Sequence, residues 1–327
     1  MDTWNASTQA WFRAPVLEGK FKPRATLSSL FLYCIDALRK IHFYGMFRSF
    51  RKKIYREVLM RMHYEQHQRL SMTLDVARKN GGFHNDDRVI YKPMYRYVAR
   101  FMSTADRYHA LLFHYSFFSG KLKNMDASRK IASGITIWRK NTIDGAIHVR
   151  LEYAERTRLE GELALAFFHN ATRLQTMTFS FLHSDTLGFG DGAVLFIGGN
   201  QGEKCCVKAA RIATKLNDEI SPSAMLLIVA QALGMAIKIN SIAGVSAMSQ
   251  IRGGIANNVR QYRSSYDELW TVSGGRRIED KAFILPFDEA ELPILSKNRS
   301  RTRRKRAVKT KMRNEILHNV EELFSPS

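Results

Sequence analysis

The sequence predicts an α+β fold: an N-terminal helical layer followed by a mostly antiparallel mixed sheet with flanking helices. Three observations predict it. Apolar residues recur at spacings of three and four from Thr26 to about Leu74, as in amphipathic helices. After Ser128 the pattern shortens to strand-length apolar runs punctuated by turn residues. The segment MLLIVAQALGMAI, residues 225–237, is apolar nearly all round and must be buried. At 327 residues with 45% hydrophobic content, the chain can bury a sizeable core.

Four regions follow in order: residues 1–25 irregular, 26–125 helical, 126–296 an α+β core, and 297–327 a basic helix or tail. Pro15 and Pro23 break up the first. In the second, Leu27, Leu30, Phe31, Cys34, Ile35 and Leu38 mark one amphipathic stripe. A second run over 47–70 interleaves Arg51, Lys52, Lys53, Arg56 and Arg61 with Phe50, Ile54, Tyr55, Val58 and Leu59, and reads as a solvated basic face over a buried stripe, with a nucleic-acid- or membrane-facing helix as the alternative. His63 and His67 lie four apart, a metal-compatible spacing. Glu65 breaks the zinc-protease order, so both are read as surface histidines. Gly81-Gly82 and Asn85-Asp86-Asp87 mark a loop, and Ser103 or Thr104 caps a helix that ends near Gly120.

In the core, strands are expected at 131–138, 146–153, 162–168, 175–182 and 193–197, each the antiparallel neighbour of the last. The fifth runs into Gly198, Gly199 and Gly202, which predict a turn into a helix over 203–217. A second helix starts at Ser221-Pro222, a capping hydroxyl before a first-turn proline. A strand over 240–246, a helix at 266–270, a turn at Gly274-Gly275 and an edge strand at 283–286 complete it. A strand feeding a glycine turn feeding a helix makes a phosphate cradle, since glycine admits a close ligand and the helix start offers free amides. A tight turn that binds nothing is the equal alternative. Gly202-Glu203-Lys204-Cys205 excludes the Walker form, and the glycines miss dinucleotide spacing.

The net charge is +21, and residues 297–313 carry ten Lys or Arg without an acid. Such charge favours nucleic acid, acidic lipid or lipopolysaccharide, coenzyme phosphates or an acidic carrier protein. Arg299, Arg301, Arg303 and Arg304 are its candidate anion-binding residues. The absence of a zinc finger, RRM or helix-turn-helix pattern speaks against specific nucleic-acid readout. Cys34, Cys205 and Cys206 form neither a disulfide framework nor a zinc site. The apolar stretch 27–38 is too short to span a bilayer, and residues 1–20 lack secretory order. A cytoplasmic protein, peripheral at the inner membrane face, is the expectation. No G-x-S-x-G is present, and His183-Ser184-Asp185 are turn neighbours that cannot form a triad.

Several motifs together resemble a known family. Glu160-Gly161-Glu162-Leu163, Phe179-Ser180-Phe181, Ile197-Gly198-Gly199-Asn200-Gln201-Gly202, Ser221-Pro222, Gly244-Val245-Ser246, Tyr266-Asp267-Glu268-Leu269-Trp270, Gly274-Gly275, Leu285-Pro286 and Ser296-Lys297-Asn298-Arg299-Ser300 occur in the order seen in the VirK/YbjX family of Gram-negative bacteria. The resemblance covers about residues 100–313, with the quoted motifs running from Glu160 to Ser300. Met248-Ser249-Gln250 stands where that family often has a histidine, so no role for such a histidine transfers. The resemblance implies a part in virulence, in resistance to cationic antimicrobial peptides and in envelope or lipopolysaccharide maintenance.

The organisation is also similar to the GNAT acyltransferase superfamily, which implies a pyrophosphate seat at Gly198, Gly199, Gln201 and Gly202. No permanent cofactor is implied; acyl-coenzyme A or an acyl carrier protein would be the donor. Acyl transfer needs a proton acceptor and oxyanion donors. Glu160, Glu162, His169 and Tyr266 are the catalytic candidates, with Glu162 favoured because it precedes a central strand. Ion pairing of the two glutamates with nearby arginines is the alternative. A non-catalytic basic adaptor on anionic lipid is the second functional reading, and nucleic-acid binding the third. Separation of the strand bearing Ile197 from its neighbour would favour the transferase, and a corner filled by side chains with no cleft beside it would count against it.

Overall fold

The computed structural model describes residues 54–79, 88–252, 266–287 and 299–324. The helical expectation for residues 26–53 and the loops at 81–87 lie outside the described residues. The chain divides into a unit of residues 1–62 and a unit of residues 63–327. In the first, residues 54–62 are helical, and Arg61 Nε reaches Glu57 Oε1 at 3.3 Å.

The second unit opens with α1 (Tyr64–Lys79), a 3-10 turn (Val89–Met94), α2 (Thr104–Lys121) and α3 (Met125–Ser133). Ser103 is the α2 cap: its hydroxyl accepts from Asp106 N and its own amide donates to Asp106 Oδ2, closing a capping box. The strands are β1 (Ile135–Thr142), β2 (Gly145–Tyr153), β3 (Leu163–His169), β4 (Thr172–His183) and β5 (Ala193–Gly202). Then come α4 (Val207–Leu216), α5 (Pro222–Ala236), β6 (Ser241–Val245), α6 (Asp267–Val272), β7 (Arg276–Ile278), β8 (Ala282–Leu285) and α7 (Arg299–Glu321).

One sheet of eight strands results, in the order β1-β2-β3-β4-β5-β6-β8-β7. Its neighbours pair antiparallel except β5 with β6, which run parallel. The α+β reading and the antiparallel run of five strands therefore hold. The crossover between the parallel strands contains α5, whose N-terminus is capped by Ser221 Oγ accepting from Ala224 N at 3.3 Å. As its composition requires, α5 is buried along most of its length, packed across β3, β4, β5 and β6. Helix α7 packs on α5 and β1 and buries Met312, Ile316 and Val320. The basic C-terminal segment is thus a core helix with a charged outer side. Its Arg313 is buried and donates to Gln231 Oε1 at 3.3 Å.

Three local expectations are corrected. Residues 131–133 finish α3 rather than begin a strand, because Asn124 Oδ1 caps that helix and Gly134, at φ +79°, ends it. Strand β8 is internal and β7 is the edge, since β8 pairs with β6 on one side and β7 on the other. Gly198, Gly199 and Gly202 are not a turn; β5 continues through them to Gly202, with its register shifting at Gly198. Their glycines serve close packing instead, as strand glycines often do.

Candidate active site at the fork between β5 and β6

Strand β5 pairs with β4 along its whole length, from His183 opposite Ala193 to Gln175 opposite Gly202. The register shifts once: Phe179 faces Ile197 and Thr178 faces Gly199, leaving Gly198 as a bulge residue. On the other side β5 pairs with β6 only from Val194 opposite Ser241 to Ile197 opposite Gly244. The bulge therefore marks a fork. Beyond it, β5 follows β4 while β6 turns off into Ser246 to Arg252.

Glu160 lies in this fork. The loop from Ala154 to Glu162 brings it there, fixed by Ala154 N to Glu162 O at 2.9 Å, Glu160 N to Thr157 O at 2.7 Å and Val98 N to Leu159 O at 2.7 Å. Thr157 Oγ1 in turn meets Thr178 Oγ1 of β4 at 2.5 Å. Only 1% of Glu160 is exposed. Its Oε1 accepts from Gln201 Nε2 and, at 3.0 Å, from Gln250 Nε2, with Arg252 Nε 3.6 Å away. Its Oε2 is buried and has no hydrogen-bond partner among the described residues. Burial pushes the carboxyl up to about 7, against the pull of Arg252, Gln250 and Gln201. The glycines explain themselves here: a Cβ on Gly198 would strike Glu160 O, and one on Gly199 would strike Glu160 Oε2.

Tyr266, the residue before α6, closes the same fork, so side chains fill this corner. Its hydroxyl accepts from Asn200 N at 3.0 Å, occupying a β5 amide that β6 leaves unpaired. Trp270, one turn on, donates Nε1–H to Val245 O at 2.9 Å, and its ring packs over Gly244.

Glu162 is placed differently. Lys92 Nζ at 2.5 Å and Tyr97 OH at 2.7 Å bond its Oε1, and Tyr115 OH bonds its Oε2. Ser180 Oγ accepts from Glu162 N at 3.1 Å. Every member is buried. Burial and then the charge of Glu162 hold both tyrosine hydroxyls well above their ordinary range. Both oxygens of Glu162 are thus committed to a core network that ties α2 and the 3-10 turn to the sheet. His169 sits at the opposite end of β3, its Nε2 3.2 Å from Asp144 O. Six residues of strand, about 20 Å, separate it from the end where Glu160 lies.

The expected phosphate seat at Gly198, Gly199, Gln201 and Gly202 meets a different backbone: all four belong to β5, and α4 starts only at Val207. Gln250 and Arg252 were not singled out by the sequence as site residues. The signals are that they follow the Gly244-Val245-Ser246 strand and that Met248-Ser249-Gln250 stands where the resembling family often has a histidine. Of the anion-binding candidates, Arg299 and Arg301 lie in the first turn of α7, and Arg303 and Arg304 are exposed further along it. His63 and His67 both pack on Tyr108 of α2, His67 Nδ1 at 3.2 Å from its hydroxyl. Among the described residues, no cluster of His, Cys, Asp or Glu could hold a metal, and no helix is long and apolar enough to cross a membrane. A groove of about 170 Å³ lies beside the Glu160 loop, lined by Ser133, Glu152, Tyr153, Arg156, Thr157 and Thr176.

A family model described as protein of unknown function (DUF535) matches residues 46–318. The chain belongs to the DUF535 family. No curated protein and no solved structure matches it. The DUF535 match spans every residue of the fork, including Glu160, Gln201, Gln250 and Tyr266. The finer VirK/YbjX resemblance rests on the motifs alone.

Proposed function

We propose that this DUF535 protein transfers an acyl group from a thioester donor, coenzyme A or an acyl carrier protein, to an amine or hydroxyl acceptor at the β5–β6 fork. One observation carries the reading: a parallel strand pair parts past Ile197 and Gly244, and Glu160, its Oε2 buried against Gly199 without a hydrogen-bond partner among the described residues, fills the space between them. The GNAT-like sequence of antiparallel strands, glycine-bearing strand, buried helix and parallel strand supports it as fold-level analogy.

The chemistry asked of Glu160 is proton transfer. A carboxyl held near 7 accepts a proton at neutral pH without retaining it. As the acceptor's nitrogen or oxygen attacks the thioester carbon, its proton passes to Oε2. The C–S bond breaks, the departing thiolate takes that proton, and Glu160 returns to the carboxylate. Gln201 and Gln250 hold Oε1, leaving Oε2 as the oxygen that exchanges protons. Because Glu160 is closed off, the donor reaches it only when the arm carrying Gln250 and Arg252 shifts. The VirK/YbjX resemblance would set the acceptor within envelope or lipopolysaccharide maintenance.

The test is thiol release from acyl-coenzyme A and from an acylated carrier protein in the presence of candidate amine and lipid acceptors. Glu160→Gln should lower turnover by about 10²-fold or more, the usual worth of a general base, while leaving donor binding intact. Absence of binding to both donors, or wild-type turnover by Glu160→Gln, removes the reading.

A further inference from the structure

Helix α4 follows the fork directly and carries an unusual charge pattern. Lys208, Arg211 and Lys215 fall at i, i+3 and i+7 of the helix, and Lys204 precedes it in the connecting turn; all four are exposed. The spacing aligns the three helical cations along one face about 10 Å long. Like charges at such spacing destabilise a helix rather than support it. Two of the acids flanking the helix are engaged elsewhere, Glu203 with Arg156 at 3.0 Å and Asp218 with Lys140 at 2.8 Å, and exposed Glu219 lies beyond the C-terminus of α4. Flanking the cations, Val207 and Ile212 are exposed to 63% and 47%, although Ala213 behind them is buried.

We infer that this face of α4 docks the acidic helix of an acyl carrier protein, so that the donor at the fork arrives on a protein rather than as free coenzyme A. The inference rests on the acyl-transfer reading and deepens it. Charge complementarity selects an acidic partner, and cations on one helical face suit carboxylates repeating at the same period on a partner helix. Two aliphatic side chains offer a small apolar contact suited to a weak, transient complex. They bury too little to hold a bilayer, and no aromatic on α4 offers a stacking platform for nucleic acid. Position completes the argument. Gln201, which bonds Glu160, is three residues before Lys204, a chain distance of at most about 11 Å. A carrier docked on α4 therefore presents its tethered acyl chain at the mouth of the fork.

The experiment titrates full-length protein with an acidic acyl carrier protein loaded with a fatty acyl group, at low and at high salt. Wild type should bind it with an affinity that falls as salt rises. The double variant Lys208→Glu/Arg211→Glu should lose at least ten-fold in affinity, with unchanged melting temperature and unchanged binding of acyl-coenzyme A. Equal carrier affinity in wild type and variant overturns the inference. So does α4-dependent binding to anionic phospholipid vesicles without binding to the carrier. Glu160→Gln should bind the carrier normally. Hence failure to dock with turnover of acyl-coenzyme A intact discards only the carrier, and charge-dependent docking with no transfer discards only the chemistry.

Discussion

Gly199 and Glu160 are fitted to each other across the fork: a Cβ on Gly199 would overlap Glu160 Oε2 and come within 3.1 Å of Glu160 Cβ. Gln201 and Gln250 hold the carboxyl in place, so it cannot swing aside freely. Gly199→Ala should therefore destabilise the protein by about 1–3 kcal/mol through overpacking. Combined with Glu160→Ala, the loss should be smaller than the sum of the single losses, because the clash disappears with the carboxylate. Thermal denaturation of the two single variants and the double variant measures this; additive effects would contradict the fit.

The same carboxyl predicts a pH dependence. Its pKa is raised from 4.5 to about 7, chiefly by burial. Between those values the native state keeps a proton that the unfolded chain gives up, so this group's contribution falls as pH rises through the window and is level above it. Glu160→Gln should lose that slope. Measured by urea denaturation at pH 5 and pH 8, the variant should gain on wild type by up to about 3 kcal/mol at the higher pH. A parallel pH profile for the two proteins would show that Glu160 ionises normally.

The Lys92–Glu162 pair predicts the opposite kind of result. Both side chains are buried, and Tyr97 and Tyr115 complete the hydrogen bonding of the carboxylate. Removing one charge strands the other, so Lys92→Met or Glu162→Ala should each cost about 3–5 kcal/mol. Lys92→Met/Glu162→Leu should recover much of the loss, since two apolar groups leave no buried charge. Chemical denaturation decides it, and a milder loss in each single variant than in the double would sink the account of Glu162 as a core anchor.

Helix α7 carries both the basic cluster and core side chains. Ile316 is fully buried, so Ile316→Ala should destabilise by about 2–5 kcal/mol. Deleting residues 297–327 should compromise folding altogether. Charge on this helix is better tested by Arg303→Glu/Arg304→Glu, both exposed, which should leave the melting temperature nearly unchanged. Co-sedimentation with anionic vesicles then reports whether the outer face of α7 binds lipid; unchanged co-sedimentation removes these two arginines from that role.

Periodicity and punctuation alone were enough for the antiparallel order of β1 to β5, a cap at Ser103 or Thr104, the Ser221 cap and the burial of α5. Each depends on neighbours a few residues apart, and such neighbours are written consecutively in the chain. The basic face of α7 was equally plain, but its buried Ile316 and Val320 were masked by the charge density around them. Tertiary structure decided the rest. Gly198 and Gly199 read as a turn because glycine has two uses, and the reason for these two is Glu160, nearly forty residues earlier. Glu160 and Glu162 are indistinguishable as letters in one motif. Only the loop that enters the fork buries one against Gly199 with an oxygen that has no hydrogen-bond partner among the described residues, while the other is bound by Lys92, Tyr97 and Tyr115. Which carboxylate has both oxygens bonded and which keeps one without a partner is a matter of burial and hydrogen-bond partners drawn from distant segments, and no local pattern records it.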